Sequence, residues 1–247
     1  MITREALTAH LADFLKLDDY QDYAPNGLQV EGKSDIRTIV TGVTASQALI
    51  DEAIKRKADA ILVHHGYFWK SEPQEIVGFK QKRIKALLLN DINLLGYHLP
   101  LDGHAEIGNN AMLGKLWNLQ DITPKPGLVR LGELAAPMNI EDFIEIVSVS
   151  LNRKPLHLPG GPKQIKTVAW CSGGAQGYID QALVWNADVY ISGEVSEQTT
   201  HLAMEGGIHY LAAGHHATER LGIKTLGEYL ADRFDLNCHF VDVNNPV

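Results

Sequence analysis

Three strings in the sequence end an apolar run in imidazoles. ADAILVHHG closes on His64-His65-Gly66, LLGYHLPLD carries His98 and Asp102, and LAAGHHATE carries His215-His216 followed by Glu219. In an open parallel sheet, ligands bind beyond the carboxyl ends of the strands, so these side chains stand where chemistry is expected. Imidazole and carboxylate together suit Zn²⁺, Fe²⁺, Mn²⁺ or Ni²⁺, and the lack of grouped thiolates argues against a closed structural zinc site. Five or more such donors exceed what one tetrahedral ion uses. They fit two neighbouring divalent ions, with a carboxylate between them. Glu219 is the expected bridge, reaching in from a helix that starts near Ala217.

Histidine is over-used, with 11 copies, but not all of them belong to this set. His10, His157 and His239 read as hydrogen-bonded residues with no part in the site. His201 and His209 are ambiguous, and His201 sits on a helix from which it could support a ligand. Glu194, in SGEVSEQTTH, is a candidate to carry a proton beside the ions, or else a helix cap or salt-bridge partner.

The elements that must position these residues are legible as a repeat. Ile36–Gly66 and Ile165–Val195 align without a gap at an offset of 129 (165 less 36), with identities at Ile36/Ile165, Thr38/Thr167, Gln47/Gln176, Ile50/Ile179, Asp51/Asp180, Ala53/Ala182, Ala58/Ala187 and Asp59/Asp188. Each copy reads as a buried strand, a small-residue turn, a helix and a second strand, the β-α-β unit that builds parallel sheets. Both copies continue: Lys80–Asn90 leads as a helix into the strand Ile92–Tyr97, and Ser196–Glu205 leads into Ile208–Ala213. At the ends of those strands His98 aligns with His215 and Asp102 with Glu219, at an offset of 117 (215 less 98). The offset of 129 sets Glu194 where the first copy has His65.

The fold class expected is therefore α/β: two packed, duplicated halves with parallel-type sheets and a small inserted element between them. The boundaries read as 1–104 for the first half, 105–163 for the insert and 164–247 for the second half, packed on the first around a shared metal site. The insert holds an amphipathic stretch, Ile140–Leu151, among Pro124, Pro126, Pro137, Pro155, Pro159 and Pro162.

Bulk properties exclude several functions. A formal net charge of −8 argues against direct duplex-DNA binding, which needs a concentrated basic face;. It leaves room for a nucleotide substrate, since bound cations supply local positive charge. The start MITREALTAHLADFLKL mixes charges into its apolar residues and reads as an amphipathic helix, and no run approaches a membrane span. Cys171 and Cys238 form no CxxC pair, so a reducing cytoplasm is the expected location. SGGAQG (Ser172–Gly177) could cradle a phosphate but lacks the Lys-Ser/Thr of a P-loop. YAPNGLQVEG (Tyr23–Gly32) reads as a Pro-Asn-Gly turn.

Taken together, YAPNGLQVEG, ILVHHGYFWK, YHLPLDGH, ISGEVSEQ and AAGHHATE resemble the GTP cyclohydrolase type 2 homologue family, also called Nif-three-like proteins. The resemblance runs from Tyr23 to Pro246. It implies two α/β parts, a dinuclear metal centre and a toroidal homohexamer. By motif the implied ligands are His64, His65, Asp102, His215 and Glu219. The resemblance leaves His98 outside that set, and with Glu194 it is assigned to proton transfer. The function expected is a metal-dependent, cyclohydrolase-like hydrolase of a nucleotide or related small molecule. The alternative is a non-enzymatic ring protein that binds or inserts metal or acts as a regulator.

Overall fold

Leu7, Leu11 and Leu15 recur every fourth residue, and in the computed structural model they are the buried stripe of α1 (Arg4–Leu15). The hydroxyl of Thr3 caps this helix by accepting from the Ala6 N–H;. The structure describes residues 1–125 and 127–247; Pro126, one of the prolines that punctuate the middle of the chain, lies outside the described residues. The chain divides into two units, Met1–Ile107 with Gly222–Asn244, and Gly108–Leu221 with Asn245–Val247.

The first unit contains β1 (Ile2–Thr3), α1, β2 (Gly27–Val30), β3 (Asp35–Ile36), β4 (Thr38–Thr44), α2 (Gln47–Lys55), β5 (Ala60–His65), α3 (Gly78–Leu89), β6 (Asn93–Gly96) and α4 (Leu99–Gly103). The second contains α5 (Asn109–Leu116), β7 (Gln120–Asp121), β8 (Arg130–Asn139), α6 (Ile140–Leu151), β9 (Leu156–Leu158), β10 (Gln164–Trp170), α7 (Ile179–Val184), β11 (Val189–Ser192), α8 (Glu197–Gly206) and β12 (His209–Ala212). Helix α9 (His215–Phe234) counts with the second unit through Leu221 and with the first from Gly222, and β13 (Asn237–Phe240) joins the first unit's sheet.

Each sheet has a parallel core and antiparallel edges. The first runs β13-β4-β5-β6-β2, parallel except for the β2 edge. The second runs β7-β8-β10-β11-β12-β9, with β10, β11 and β12 parallel and the outer strands antiparallel. The fold class is α/β as the repeat implied, with sheets that are mixed. Segment 105–163, expected as a separate insert, supplies three of the second sheet's six strands, β7, β8 and β9. Pro137 lies within β8, and Pro155 and Pro159 flank β9.

Both sheets are covered on two faces, which is why their strands read as near-continuous apolar runs. In the first unit Ile39, Val43 and Leu62 face α1 and the later part of α9, while Val40, Ile61 and Val63 face α2 and α3. In the second unit Val168, Trp170 and Ile191 pack with Phe143 and Val147 of α6, while Ala169 and Tyr190 pack with Ile179, Ala182 and Ala203. Among the described residues no helix is long and apolar enough to cross a membrane.

The repeat holds at the level of single hydrogen bonds. Strand β4 pairs Ile39 with Ala60, and β10 pairs Val168 with Val189, each 129 residues later. Asp59 Oδ2 accepts from the N–H groups of Arg37 and Thr38; Asp188 Oδ2 accepts from those of Lys166 and Thr167. Lys57 and Asn186, one residue before the Ala-Asp pairs, share a left-handed backbone with φ of 53°. The duplication also begins earlier than the sequence suggested. Edge strand β2 pairs Gly27 with Gly96, and β9 pairs Leu156 with Ala212, which extends the offset of 129 upstream of Ile36.

Asp59 therefore ties the entry of β4 to the entry of β5. Burial raises its pKa, but the hydrogen bond from Lys33 and the N–H groups of Thr38 and Arg37 outweigh it and hold the carboxyl below its usual value. A depressed folded-state pKa means that the stabilisation is present above the unfolded value and is lost as pH falls through the folded one. Asp59→Ala is expected to cost about 1–3 kcal/mol at pH 7, since two N–H groups lose their acceptor. In urea denaturation the gap between wild type and variant should shrink as pH falls below about 4.

Candidate metal centre

In the first unit the candidate site is built on the ends of β5 and β6. His64 is fully buried, and its Nδ1 lies 3.0 Å from the carbonyl oxygen of Tyr97. A carbonyl only accepts, so Nδ1 carries a proton and Nε2 is the nitrogen turned into the site. That Nε2 faces Asp102 Oδ2 at 3.5 Å. A buried ring nitrogen turned toward a carboxylate is a disposition that a proton or a metal cation stabilises, and a carbonyl behind the ring is the usual support of a metal-bound histidine. One ring nitrogen of each of His64, His65 and His98 lies within 4.8 Å of the others. His65 Nδ1 lies 3.3 Å from Thr44 Oγ1.

Asp22 holds His98 in this group. Asp22 Oδ1 accepts from His98 Nδ1 at 2.9 Å and from the N–H of Tyr23, while Oδ2 accepts from Asn26 Nδ2 and the Leu99 N–H. Asn26 Oδ1 in turn accepts from the His98 N–H at 2.7 Å. Burial raises the Asp22 pKa, but the bonds from His98 and Asn26 prevail and hold the carboxyl well below the usual range. The Pro-Asn-Gly turn is thus the clamp on His98. Sequence reasoning missed Asp22, because one aspartate before a turn carries no spacing signal. Gln29 is a second such residue: its side chain accepts from the Tyr67 N–H, donates to the Pro25 carbonyl, and fills the space beside Gly66 and Gly96.

In the second unit β11, β12 and the start of α9 bring Glu194, His215 and Glu219 together. His215 Nδ1 donates to Glu194 Oε1 at 2.7 Å, and its Nε2 lies 3.1 Å from Glu219 Oε1. Helix α9 starts at His215, two residues ahead of the expected start, so His215 and Glu219 share its first turn. Burial lowers the His215 pKa, but the bond to Glu219 and then that to Glu194 push it up to about 9. A proton on Nε2 therefore occupies the place that a cation would take. A carboxylate behind one ring nitrogen and a carboxylate ahead of the other again match a metal ligand with its support.

The remaining histidines lie elsewhere. His201 is an exposed partner of Glu197, 3.4 Å away on the same helix, and supports nothing. Buried His209 binds the Pro162 carbonyl and His157. His10 stacks on Phe14 and Tyr229, and His239 is exposed on β13. The His216 N–H donates to the Val247 carbonyl. The expected alignment of His98 with His215 is one residue out of the strand register, which equates Asn93 with His209, an offset of 116 (209 less 93).

Three N–H groups of SGGAQG that a phosphate would use are already engaged. The Ser172 N–H goes to Asn110 Oδ1, the Gly173 N–H to Thr218 Oγ1 and the Ala175 N–H to Ser192 Oγ. Its glycine instead makes room for the acid: a Cβ on Gly173 would lie 2.2 Å from Glu219 Oε1, on a backbone with φ of +67°. Gly173→Ala is expected to cost at least about 1 kcal/mol from the left-handed backbone and to displace Glu219. Gly177→Ala, where nothing lies within 4 Å, should leave thermal unfolding unchanged.

Comparison with known proteins agrees with the motifs. A "GTP cyclohydrolase 1 type 2 homolog" of Haemophilus influenzae is 57% identical, over 94% of this chain and 94% of that one. Among solved structures, "protein ybgI, unknown function" superimposes with a TM-score of 0.97 at 50% identity, covering 100% of both chains. TTHA1606 from Thermus thermophilus superimposes with a TM-score of 0.93 at 33% identity, again over 100% of both chains. Residues 2–246 match the family described as Duf34/NIF3 (NGG1p interacting factor 3), and the chain belongs to it.

Proposed function

We propose that this protein is a metal-dependent hydrolase of a nucleotide or related small molecule, with two divalent ions held by His64, His65, Asp102, His215 and Glu219. The observation that carries this reading is the paired support of the histidines. His64 gives its Nδ1 proton to a carbonyl and His215 gives its own to a carboxylate, and each turns Nε2 toward an acid. The relatives' name, GTP cyclohydrolase 1 type 2 homolog, supports the reaction class. Divalent ions of Fe, Zn, Mn or Ni held there would supply Lewis acidity and acidify water at neutral pH.

The chain's own residues do the rest. Glu219 is assigned as the bridging carboxylate. Glu194 Oε1 keeps the His215 ring in one orientation, and its other oxygen is the one we assign to receiving a proton. His98, fixed by Asp22 at Nδ1, is the second proton carrier. Family membership supports assembly as a homohexamer.

Glu219→Ala, His64→Ala and Asp102→Ala should each lower the metal content measured by elemental analysis, while His10→Ala should not. Full occupancy in Glu219→Ala would remove the bridging assignment. Glu194→Gln should keep its ions at saturating metal yet lose turnover in a screen of nucleotides. Ions held without any turnover, in wild type as well, would favour a ring that binds or inserts metal. Light scattering should report about six times the chain mass of 27.2 kDa;.

A further inference from the structure

Two aromatic rings beside the first unit's imidazoles have no part in holding ions. Tyr23, in the clamp on His98, is 54% exposed. Trp69 is half-buried in the stretch that follows His65-Gly66. Their ring centroids are 5.7 Å apart, and each ring stands roughly perpendicular to His98, at 5.1 Å for Tyr23 and 4.9 Å for Trp69. Trp69 also lies 5.8 Å from the His65 ring.

An exposed tyrosine is ordinarily unremarked, but this pair is held in place. Trp69 Nε1 donates to the Gly66 carbonyl at 3.1 Å. The Lys70 N–H donates to the Tyr23 carbonyl at 2.9 Å, and Lys70 Nζ donates to the Asp22 carbonyl at 2.7 Å. Between Gly66 and Lys70 the chain passes through Phe68, a bulky residue at φ of +65° that is steadied by its N–H bond to Glu72. A left-handed aromatic residue is costly, and such strain collects where a loop is held for use. The result is an aromatic rim whose geometry does not have to be ordered by a ligand. Rigid rings offer flat contact area at low entropic cost, and a heteroaromatic ring presents a π-face whatever its substituents.

We infer that Tyr23 and Trp69 form a stacking platform for a planar heteroaromatic ring of the substrate, placed beside His65 and His98. The inference rests on the hydrolase reading for its location but specifies what that reading leaves open. It selects ring-bearing substrates and excludes simple aliphatic amides and esters.

The test uses the protein with its metals as purified, titrated by calorimetry with adenosine, guanosine and ribose. Both nucleosides should bind saturably, and the ringless ribose should not. Trp69→Leu and Tyr23→Leu should each weaken nucleoside binding about tenfold with metal content unchanged. Trp69→Phe should keep most of the affinity, and Phe79→Leu, on an exposed ring of α3, should match wild type. Tyr23→Leu alters only an exposed side chain, so it remains decisive if Trp69→Leu folds poorly. Wild-type nucleoside affinity in Tyr23→Leu and in folded Trp69→Leu, or ribose binding as well as adenosine, would overturn the platform. Ring binding without turnover would keep it and remove the hydrolase reading; turnover confined to ringless substrates would do the reverse.

Discussion

His64 is buried, and the carbonyl against its Nδ1 fixes that nitrogen as a donor;. That carbonyl belongs to Tyr97, one residue past β6, and it reaches the ring because β5 and β6 run parallel with Val63 opposite Gly96. A slip of that pairing by one residue would turn the carbonyl away and exchange the side chains on the two faces of the strand. The sheet register, fixed by the apolar packing on both faces, is therefore what turns Nδ1 of a buried imidazole to its acceptor and leaves Nε2 facing Asp102;.

The second unit reaches a comparable disposition from the same repeat with different side chains. Position 65 of the first copy is histidine, and the matching position 194 is glutamate. Position 64 is histidine, and position 193 is glycine, where a Cβ would lie 2.6 Å from the His215 Cα. Removing one side chain lets α9 begin against the strand end, so its first residue supplies the imidazole that the strand no longer carries. The latches around the strands stayed the same while the residues beyond them diverged. Asp59 and Asp188 make matching bonds, whereas Asn93 and His209, equivalent by register, use an amide and an imidazole to meet the edge segment. Such a division is expected when the strand pairings carry stability and the strand ends carry chemistry.

What could be read in the sequence follows the range of the signals. The β-α-β repeat was legible because eight identities recur at a fixed distance and because strands buried on both faces leave continuous apolar runs. The strand-end histidines were legible because imidazoles are rare after such runs. Strand β9 was not, because three residues between prolines have no periodicity to detect, and their partner β12 lies about fifty residues on. Asp22 and Gln29 were also hidden: each acts on residues dozens of positions away, and neither differs locally from a turn residue. Ser172–Gly177 misled, since a glycine-rich strand-to-helix loop can serve an anion or make room for a neighbouring carboxylate. Only the partners of its N–H groups decide which.

The two clusters differ in the groups that meet their acids. In the first unit Asp22 is met by a histidine ring, an amide and backbone N–H groups, so its charge is satisfied by fixed donors. In the second unit Glu219 is almost fully buried with the His215 ring against it, and that ring donates from its other nitrogen to Glu194. The bonds to the two glutamates outweigh burial and raise the His215 pKa, which favours a proton on Nε2;. On the proposed metal-binding reading, a divalent ion arriving there would have to displace that proton, because one nitrogen cannot serve both. Metal uptake and proton release would then be two sides of one equilibrium, and lowering the pH below the His215 value would strengthen the proton as a competitor. Glu194 bears on both sides of it. By accepting from Nδ1 it stabilises the protonated ring, and it also makes Nε2 a better donor to an ion once that proton has gone.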